Sequence, residues 1–407
     1  MNFVFISPQF PPVFWQFCNR LQRNGVTVLG IGDTPYDGLT PELKSSLTEY
    51  YYTPNLTDYS QVFRAVAFFS YKYGKIDWLE SNNEFWLAQD ARLRDDFHIV
   101  TGASTAQMAV WQSKAGMKPL YAMGSIPTAR QIKASTLDDA KQFAAQVGYP
   151  LFAKPEVGMG SLGARKIADE AALAAFFADR PKGSYVIEEF VSGRICSYDA
   201  IFDSHANPLF ENMEEFPRSM ARVAEEKLDM AYTCLPAIDP RLQKLGRAAG
   251  KSFGIRSRFT HMEFFRLDKA KEGLGDAGDY VGLEVNLRPP GSNTPNMMNY
   301  AHSCDVYQIW ADMVTKDAAD VTQGEQFFCV YASQRDCHRY VHSDADIRRT
   351  YGERLVEADR ISPALADDMG DIAYTAKLRT DEERREFIRY VQERTPDDVA
   401  RPEDLAL

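Results

Sequence analysis

The six cysteines, Cys18, Cys196, Cys234, Cys304, Cys329 and Cys337, form no C-x-x-C pair and carry no metal-ligand spacing. That excludes a disulfide framework and a thiolate zinc site, and it fits a reducing, cytoplasmic setting. No stretch approaches the length of a membrane span, and the opening Met-Asn-Phe-Val-Phe-Ile-Ser reads as a short strand rather than a leader. Basic charge is also short: 46 Lys and Arg stand against 57 Asp and Glu, for a net charge of -11. A nucleic-acid partner needs a clustered basic field, so none is expected, whereas a small anion held in one local basic pocket is compatible with this balance. There is no internal repeat or low-complexity segment, and no Ser-His-Asp or Cys-His arrangement that would supply a nucleophile.

What is present begins with alternation. Residues 3–7 read as a strand, 13–24 as an amphipathic helix and 27–31 as a second strand; the pattern recurs with helices over 59–73 and 83–94 and strands over 76–80 and 97–101. Such alternation favours a parallel sheet with crossover helices. The first turn, Pro8-Gln9-Phe10-Pro11-Pro12, lacks the glycines that a dinucleotide pyrophosphate requires. Glu80, Asn82 and Glu84 fall where a strand gives way to a helix, the edge at which these sheets bind ligands, although capping of the helix accounts for them equally well.

The chain is organised around residues 152–167, Phe-Ala-Lys-Pro-Glu-Val-Gly-Met-Gly-Ser-Leu-Gly-Ala-Arg-Lys-Ile. Lys154 ends an apolar run, and Gly158, Gly160, Ser161 and Gly163 belong to a loop whose glycines let backbone N–H groups approach phosphate oxygens. The Gly158–Gly163 spacing matches G-x-G-x-x-G, yet a strand rather than a helix follows, so a strand-loop-strand flap over phosphates is expected. Upstream, residues 107–120 read as a helical stretch carrying Lys114 and Lys118. Downstream, residues 184–190 form an apolar strand ending in Glu188 and Glu189, either solvated charge or partners for an adenine amino group.

Two strands over residues 258–267 and 280–287 flank a charged, glycine-containing turn over 268–279. Because side chains alternate, Glu284 and Asn286 share one face, and Glu263 is set to join them. Two carboxylates and an amide oxygen suit a hard divalent cation such as Mg2+. Arg288 continues that face before Pro289-Pro290-Gly291 turns the chain. Residues 302–315 read as a helix, and beyond 326 a strand over 327–331 and helices over 343–351 and 380–392 are expected.

Taken in order, Ser113-Lys114, Ile126-Pro-Thr, Lys154-Pro with the glycine loop, Glu188-Glu-Phe-Val191, His261-Met-Glu263-Phe and Glu284-Val-Asn286-Leu-Arg288-Pro-Pro-Gly291 resemble the ATP-grasp superfamily, in its carboxylate-amine ligase branch with carbamoyl-phosphate-synthase-like central domains. The resemblance spans about residues 114–310. It implies a mixed α/β and α+β architecture: a Rossmann-like parallel-sheet pre-ATP-grasp domain over 1–103, then an ATP-grasp domain over 104–320 with a small lid subdomain at about 125–192, then a C-terminal α+β extension over 321–407. It further implies ATP phosphates on Lys114 and Lys154 beneath the Gly158–Gly163 flap, and adenine at Glu188 and the backbone of Glu189 and Val191. Mg2+, as two ions or with Mn2+ in its place, would bind Glu263, Glu284 and Asn286, with Arg288 facing an acyl phosphate. Where members often read Gly-Arg-Glu-x-Ser, this chain has Gly193-Arg194-Ile195-Cys196-Ser197, so the usual ribose carboxylate is missing and Asp199 or Ser197 is the expected substitute. The implied activity is ADP-forming coupling of a small carboxylate to an amine. Bicarbonate as the acid and a non-catalytic nucleotide-binding protein are the rivals, and a homodimer is a generic prior.

Overall fold

In the computed structural model, which describes residues 1–158, 163–179, 182–218, 222–223, 226–322 and 324–398, the chain builds three sheets. β1 (Asn2–Ile6) is apolar along its length, with Phe3, Val4, Phe5 and Ile6 buried. It pairs in parallel with β2 (Thr27–Gly32) and with β4 (Trp78–Glu80), while β3 (Glu49–Tyr52) joins β2, giving the order β3-β2-β1-β4. Helices Trp15–Arg23, Pro41–Ser46 and Tyr59–Tyr73 make the crossovers, and Leu87–Asp96 follows β4. The strand expected over 97–101 does not form. His98 takes φ 54° and Gly102 φ 94°, and Ile99 N–H donates back to Arg94 O, so this segment turns away from the sheet. The fourth strand is β3, whose tyrosines are half-buried or exposed and give no apolar alternation.

The second sheet has the order β5-β8-β6-β7, from β5 (Gln131–Ile132), β6 (Leu151–Pro155), β7 (Arg165–Ile167) and β8 (Tyr185–Glu189), all antiparallel. Helices Leu137–Val147 and Glu170–Ala178 back it through a core of Phe143, Leu151, Leu173, Phe176 and Ile187. The first of these is closed at its start by a capping box between Thr136 and Asp139.

The third sheet is an eight-stranded antiparallel platform, ordered β13-β12-β9-β10-β11-β14-β16-β15. Its members are β9 (Gly193–Phe202), β10 (Pro208–Phe216), β11 (Ala231–Cys234), β12 (Arg258–Leu267), β13 (Tyr280–Asn286), β14 (Phe328–Gln334), β15 (Leu355–Arg360) and β16 (Ile372–Leu378). Strands from the last eighty residues therefore extend the sheet that carries β12 and β13. Residues 107–120, read as one helical stretch, divide into Thr105–Trp111 and Met117–Met123, whereas the helix expected over 302–315 is Val306–Lys316, capped by Asp305 and separated by Ser303 at φ 49° from a further helix, Thr294–His302, that the sequence pattern did not mark.

The parallel-sheet unit and the platform share one core. Phe17 meets Tyr307 and Trp310 with ring centroids 4.7 and 5.0 Å apart, and Arg20 pairs with Asp305 at 2.7 Å. At the other end of β4, buried Glu80 lies 2.5 Å from Arg258 of β12 and 3.4 Å from Arg94. Arg258 in turn donates to Leu287 O at 3.0 Å, just beyond β13. Glu80 is thus a buried tie between the two units.

Candidate functional site

The second sheet and the platform meet along a cleft, and the broken helix at 112–116 is one of its corners. Lys114 N–H donates to Glu156 O at 2.9 Å, pinning that turn to the end of β6. The Lys114 ammonium, buried, donates to Gly158 O at 3.1 Å and lies 3.4 Å from Glu284 Oε1. Gly158 and Gly163 have φ of 155° and 78°, conformations that favour glycine. Gly160 and Ser161 lie outside the described residues.

Lys154, in β6, lies diagonally across from Glu188 of β8, two residues from Phe152, the register partner of that acid, with Nζ 2.7 Å from Oε2. Lys118 reaches the same carboxylate at 2.9 Å and Gln131 donates to it at 2.9 Å. Burial opposes ionisation of Glu188, but the charges of Lys154 and Lys118 outweigh it and hold its carboxyl below the usual range. Glu189 turns to the opposite side, where Oε1 accepts Arg130 N–H at 2.7 Å and Oε2 meets the Arg130 guanidinium at 2.7 Å and Lys271 at 3.3 Å. Lys271 also donates to Phe190 O at 2.5 Å. The 268–279 turn is thereby fastened to the segment after β8, and Val191 is buried with Ala129, Leu267, Leu274 and Val281 beneath it.

On the platform, Glu263 of β12 pairs in register with Glu284 of β13, and His261 with Asn286. A bulge follows, because Phe264 opposes Gly282. Alternation in the sequence predicts the shared face but not this bulge, a device that re-aims side chains beside sites. The two facing acids are driven apart. Glu284 is raised by burial, with Glu263 adding to the rise and Lys114 opposing it. For Glu263, burial works against ionisation, but His261 beside it at 3.4 Å keeps it low. Arg288 extends from the end of β13 to Glu84 of the parallel-sheet unit, at 2.9 Å from both Nε and Nη2. The Asn286 amide is satisfied when its nitrogen faces Glu84, 3.2 and 3.1 Å from the two carboxylate oxygens.

Asp199 is fully buried. Its carboxylate accepts Ser197 Oγ at 2.8 Å and Asn212 Nδ2 at 2.9 Å, and lies 2.6 Å from His261 Nδ1. Burial opposes protonation of His261, yet Asp199 pushes it up to about 10, so the imidazolium links Asp199 to Glu263. Ile195 lines a small cavity with Arg194, Glu215, Arg266 and Arg384. Of the three strand-end residues, Glu84 enters the cleft, Glu80 is the buried tie and Asn82 takes φ 55° in the turn between them.

Lys118 and His261 also belong to the cleft without a role marked by any motif, although His261 sits two residues before Glu263 on the same strand face, and alternation alone points to it. Gln131, Arg130 and Lys271 carried no such signal, since their partners come from strands and turns distant in the chain.

A four-stranded antiparallel sheet carrying Lys154 thus faces a platform bearing paired acids, with Lys114 at the corner between them. The family model of the carbamoyl-phosphate synthase L chain ATP-binding domain matches residues 114–214, and the resemblance to the ATP-grasp superfamily is borne out. The carbamoyl phosphate synthase large chain of Streptomyces coelicolor is 23% identical over 170 residues, 40% of this chain and 15% of that protein; the chain thus matches about one-seventh of the length of this curated relative. Among solved structures, an L-amino acid ligase from Bacillus licheniformis superposes with a TM-score of 0.69 at 14% identity, over 96% of each chain. The biotin carboxylase domain of the Hydrogenobacter thermophilus 2-oxoglutarate carboxylase, in complex with MgADP, ADP and bicarbonate, gives 0.69 at 14% identity, over 95% of this chain and 88% of that one. These likenesses establish the fold along nearly the whole chain. Among the described residues no helix is long and apolar enough to cross a membrane.

Proposed function

We propose that the chain is an ATP- and magnesium-dependent ligase that couples a small-molecule carboxylate to an amine with release of ADP and phosphate. The observation that carries this reading is the convergence on one cleft of Lys114 and Lys154 with Glu263, Glu284, Asn286 and Arg288. The donor set fits a divalent cation. Glu263 and Glu284 face each other in register, and Glu284 is raised by its burial, with the Glu263 charge adding to the rise against Lys114. Glu263, Glu284 and Asn286 would hold Mg2+, as one or two ions or with Mn2+ in its place; when bound, it neutralises charge on the nucleotide phosphates.

In this reading Lys114 and Lys154 exchange their carboxylate partners for phosphate oxygens, and the hinge at Glu188, Glu189 and Val191 receives the adenine. A substrate carboxylate oxygen attacks the γ-phosphorus and the bond to ADP breaks, giving an acyl phosphate. Arg288 stabilises its charge. The amine nitrogen then attacks the acyl carbon, phosphate leaves, and the nitrogen gives up a proton to form the amide. Residues 1–103 form one wall of the cleft, 104–320 hold nucleotide and metal, and β14, β15 and β16 of the C-terminal extension widen the platform. Ile195 stands where the family's ribose carboxylate would be, and the two expected substitutes, Ser197 and Asp199, are both fully buried, with Ser197 Oγ donating to Asp199.

Crossing a panel of carboxylic acids with amines in an ADP-release assay, with mass spectrometry of products, tests the proposal. Glu284→Gln is expected to lower carboxylate-dependent ADP release about 10²–10³-fold; undiminished turnover in that variant sinks the assignment. The match to a carbamoyl-phosphate synthase domain favours bicarbonate as the second reading of the acid, and ADP release that depends on bicarbonate alone would select it.

A further inference from the structure

Glu84 lies outside the lysine and metal motifs, and it comes from a different layer of the molecule, 204 residues before Arg288 in the chain. Its position is fixed by its own turn. Ser81 N–H and Oγ donate to the buried carboxylate of Asp90 at 2.9 and 2.6 Å, Asn83 N–H donates to Ser81 Oγ at 3.2 Å, and Phe85 N–H donates to Asn83 Oδ1 at 3.1 Å. The residue so presented is mostly buried, with a side chain 16% exposed. Its carboxylate meets two side chains of one motif: Arg288 through Nε and Nη2 at 2.9 Å, and the Asn286 amide nitrogen at 3.1 and 3.2 Å.

An amide has one oxygen and one nitrogen on a planar fork, so a carboxylate that takes the nitrogen dictates where the oxygen points. With Nδ2 on Glu84, Asn286 Oδ1 is turned away from that acid. The same carboxylate limits Arg288 to one orientation. We propose that Glu84 is a positioning residue of the metal face: it sets the Asn286 amide with its oxygen toward the cation and aims the Arg288 guanidinium. The parallel-sheet unit thereby completes a site whose ligands all come from the platform. The inference rests on the metal reading of Glu263, Glu284 and Asn286 given above.

Partners that orient a metal ligand typically change metal affinity by about 10–100-fold when removed. The test uses the full chain with ADP as probe, titrated with and without Mg2+, and needs no knowledge of the acid or amine. For Glu84→Ala, metal-free ADP affinity and the thermal melt serve as references for folding. The Mg2+ concentration that half-maximally tightens ADP binding is expected to rise about 10–100-fold. Glu84→Gln keeps an acceptor for Asn286 but no charge for Arg288, and its shift is expected to be smaller than that of alanine; it carries the test if the alanine variant does not fold. An unchanged Mg2+ midpoint in a folded Glu84→Ala protein overturns the proposal. Glu284→Gln is run beside it: if Mg2+ tightens ADP on the wild type and Glu284→Gln abolishes the effect while Glu84→Ala leaves it intact, only the role of Glu84 has failed. If Mg2+ does nothing even to the wild type, the metal reading has failed and this inference with it.

Discussion

Glu188 is the buried acid between two lysines, and Glu188→Gln tests how far the lid sheet depends on it. At 2.7 and 2.9 Å each contact is worth about 6 kcal/mol of Coulomb attraction at an effective dielectric of 20. Desolvation of three buried ions offsets most of that, and the net cost of removing one partner of a buried pair is about 3–5 kcal/mol. Glutamine keeps an acceptor, so the lower figure applies, about 3 kcal/mol, or about a hundredfold in an opening equilibrium. Amide hydrogen exchange at Leu151–Pro155 and Tyr185–Glu189 is the assay, since these paired strands open together. Exchange there is expected to speed up about a hundredfold in the variant without nucleotide. Phosphates would supply the missing negative charge, so saturating ATP should narrow the gap between variant and wild type. Unchanged protection in the nucleotide-free variant would refute the argument that the two lysines are held by this acid.

Two further outcomes follow from the same reasoning. Burial, aided by the Glu80 charge, pushes the Asp90 carboxyl up to about 7 from 3.8; the folded chain therefore holds a proton that the unfolded chain has released, and stability falls as pH rises from about 4 to 7 at up to about 1.4 kcal/mol per unit. Asp90→Asn should flatten that slope in denaturant melts taken across pH 4–8, and a slope equal to wild type would count against it. Lys271→Ala removes the fastening of the 268–279 turn to Phe190 O and Glu189. That turn should become more susceptible to proteolysis, and ATP affinity should fall by less than tenfold because Arg130 still holds Glu189; resistance equal to wild type would show that buried Leu274 and the Asp268–Ser192 hydrogen bonds hold the turn without Lys271.

The parts of the site legible in the sequence are those whose geometry is local. Glu263, Glu284 and Asn286 share a face because strands alternate, and the bounds of β12 emerge from ten residues of apolar pattern around a polar stripe. The helix over 59–73 is likewise carried by its own periodicity. What failed to show depends on tertiary partners. A helix read through 107–120 is broken because Lys114 must hydrogen-bond the end of β6, and nothing in helical periodicity reports that. β3, β11, β15 and β16 are short or have mixed faces, and they are strands because the sheet supplies their ladder. The strand expected over 97–101 was apolar enough, but two left-handed residues turn it away from any partner. Glu84 was legible as a strand-end acid; that Arg288 and Asn286 would be its partners was not.

The charges of the cleft pair off in a way that bears on how it would load. Lys154 is held by Glu188, Lys114 lies against Glu284, and Arg288 is held by Glu84. Each cation that the proposed chemistry would direct at phosphate is matched with an acid, so the cleft is closed to itself rather than open and charged. A nucleotide entering alone must draw Lys114 from Glu284, leaving a buried carboxylate whose ionisation is already disfavoured. A cation entering alone takes Glu284 and leaves Lys114 buried without its acid. Entering together, phosphates take the lysine and the metal takes the carboxylate, and neither partner is stranded. The Lys114–Glu284 contact at 3.4 Å is thus the point at which nucleotide and metal binding are coupled in the proposed reading, and by linkage each must strengthen the other by the same factor.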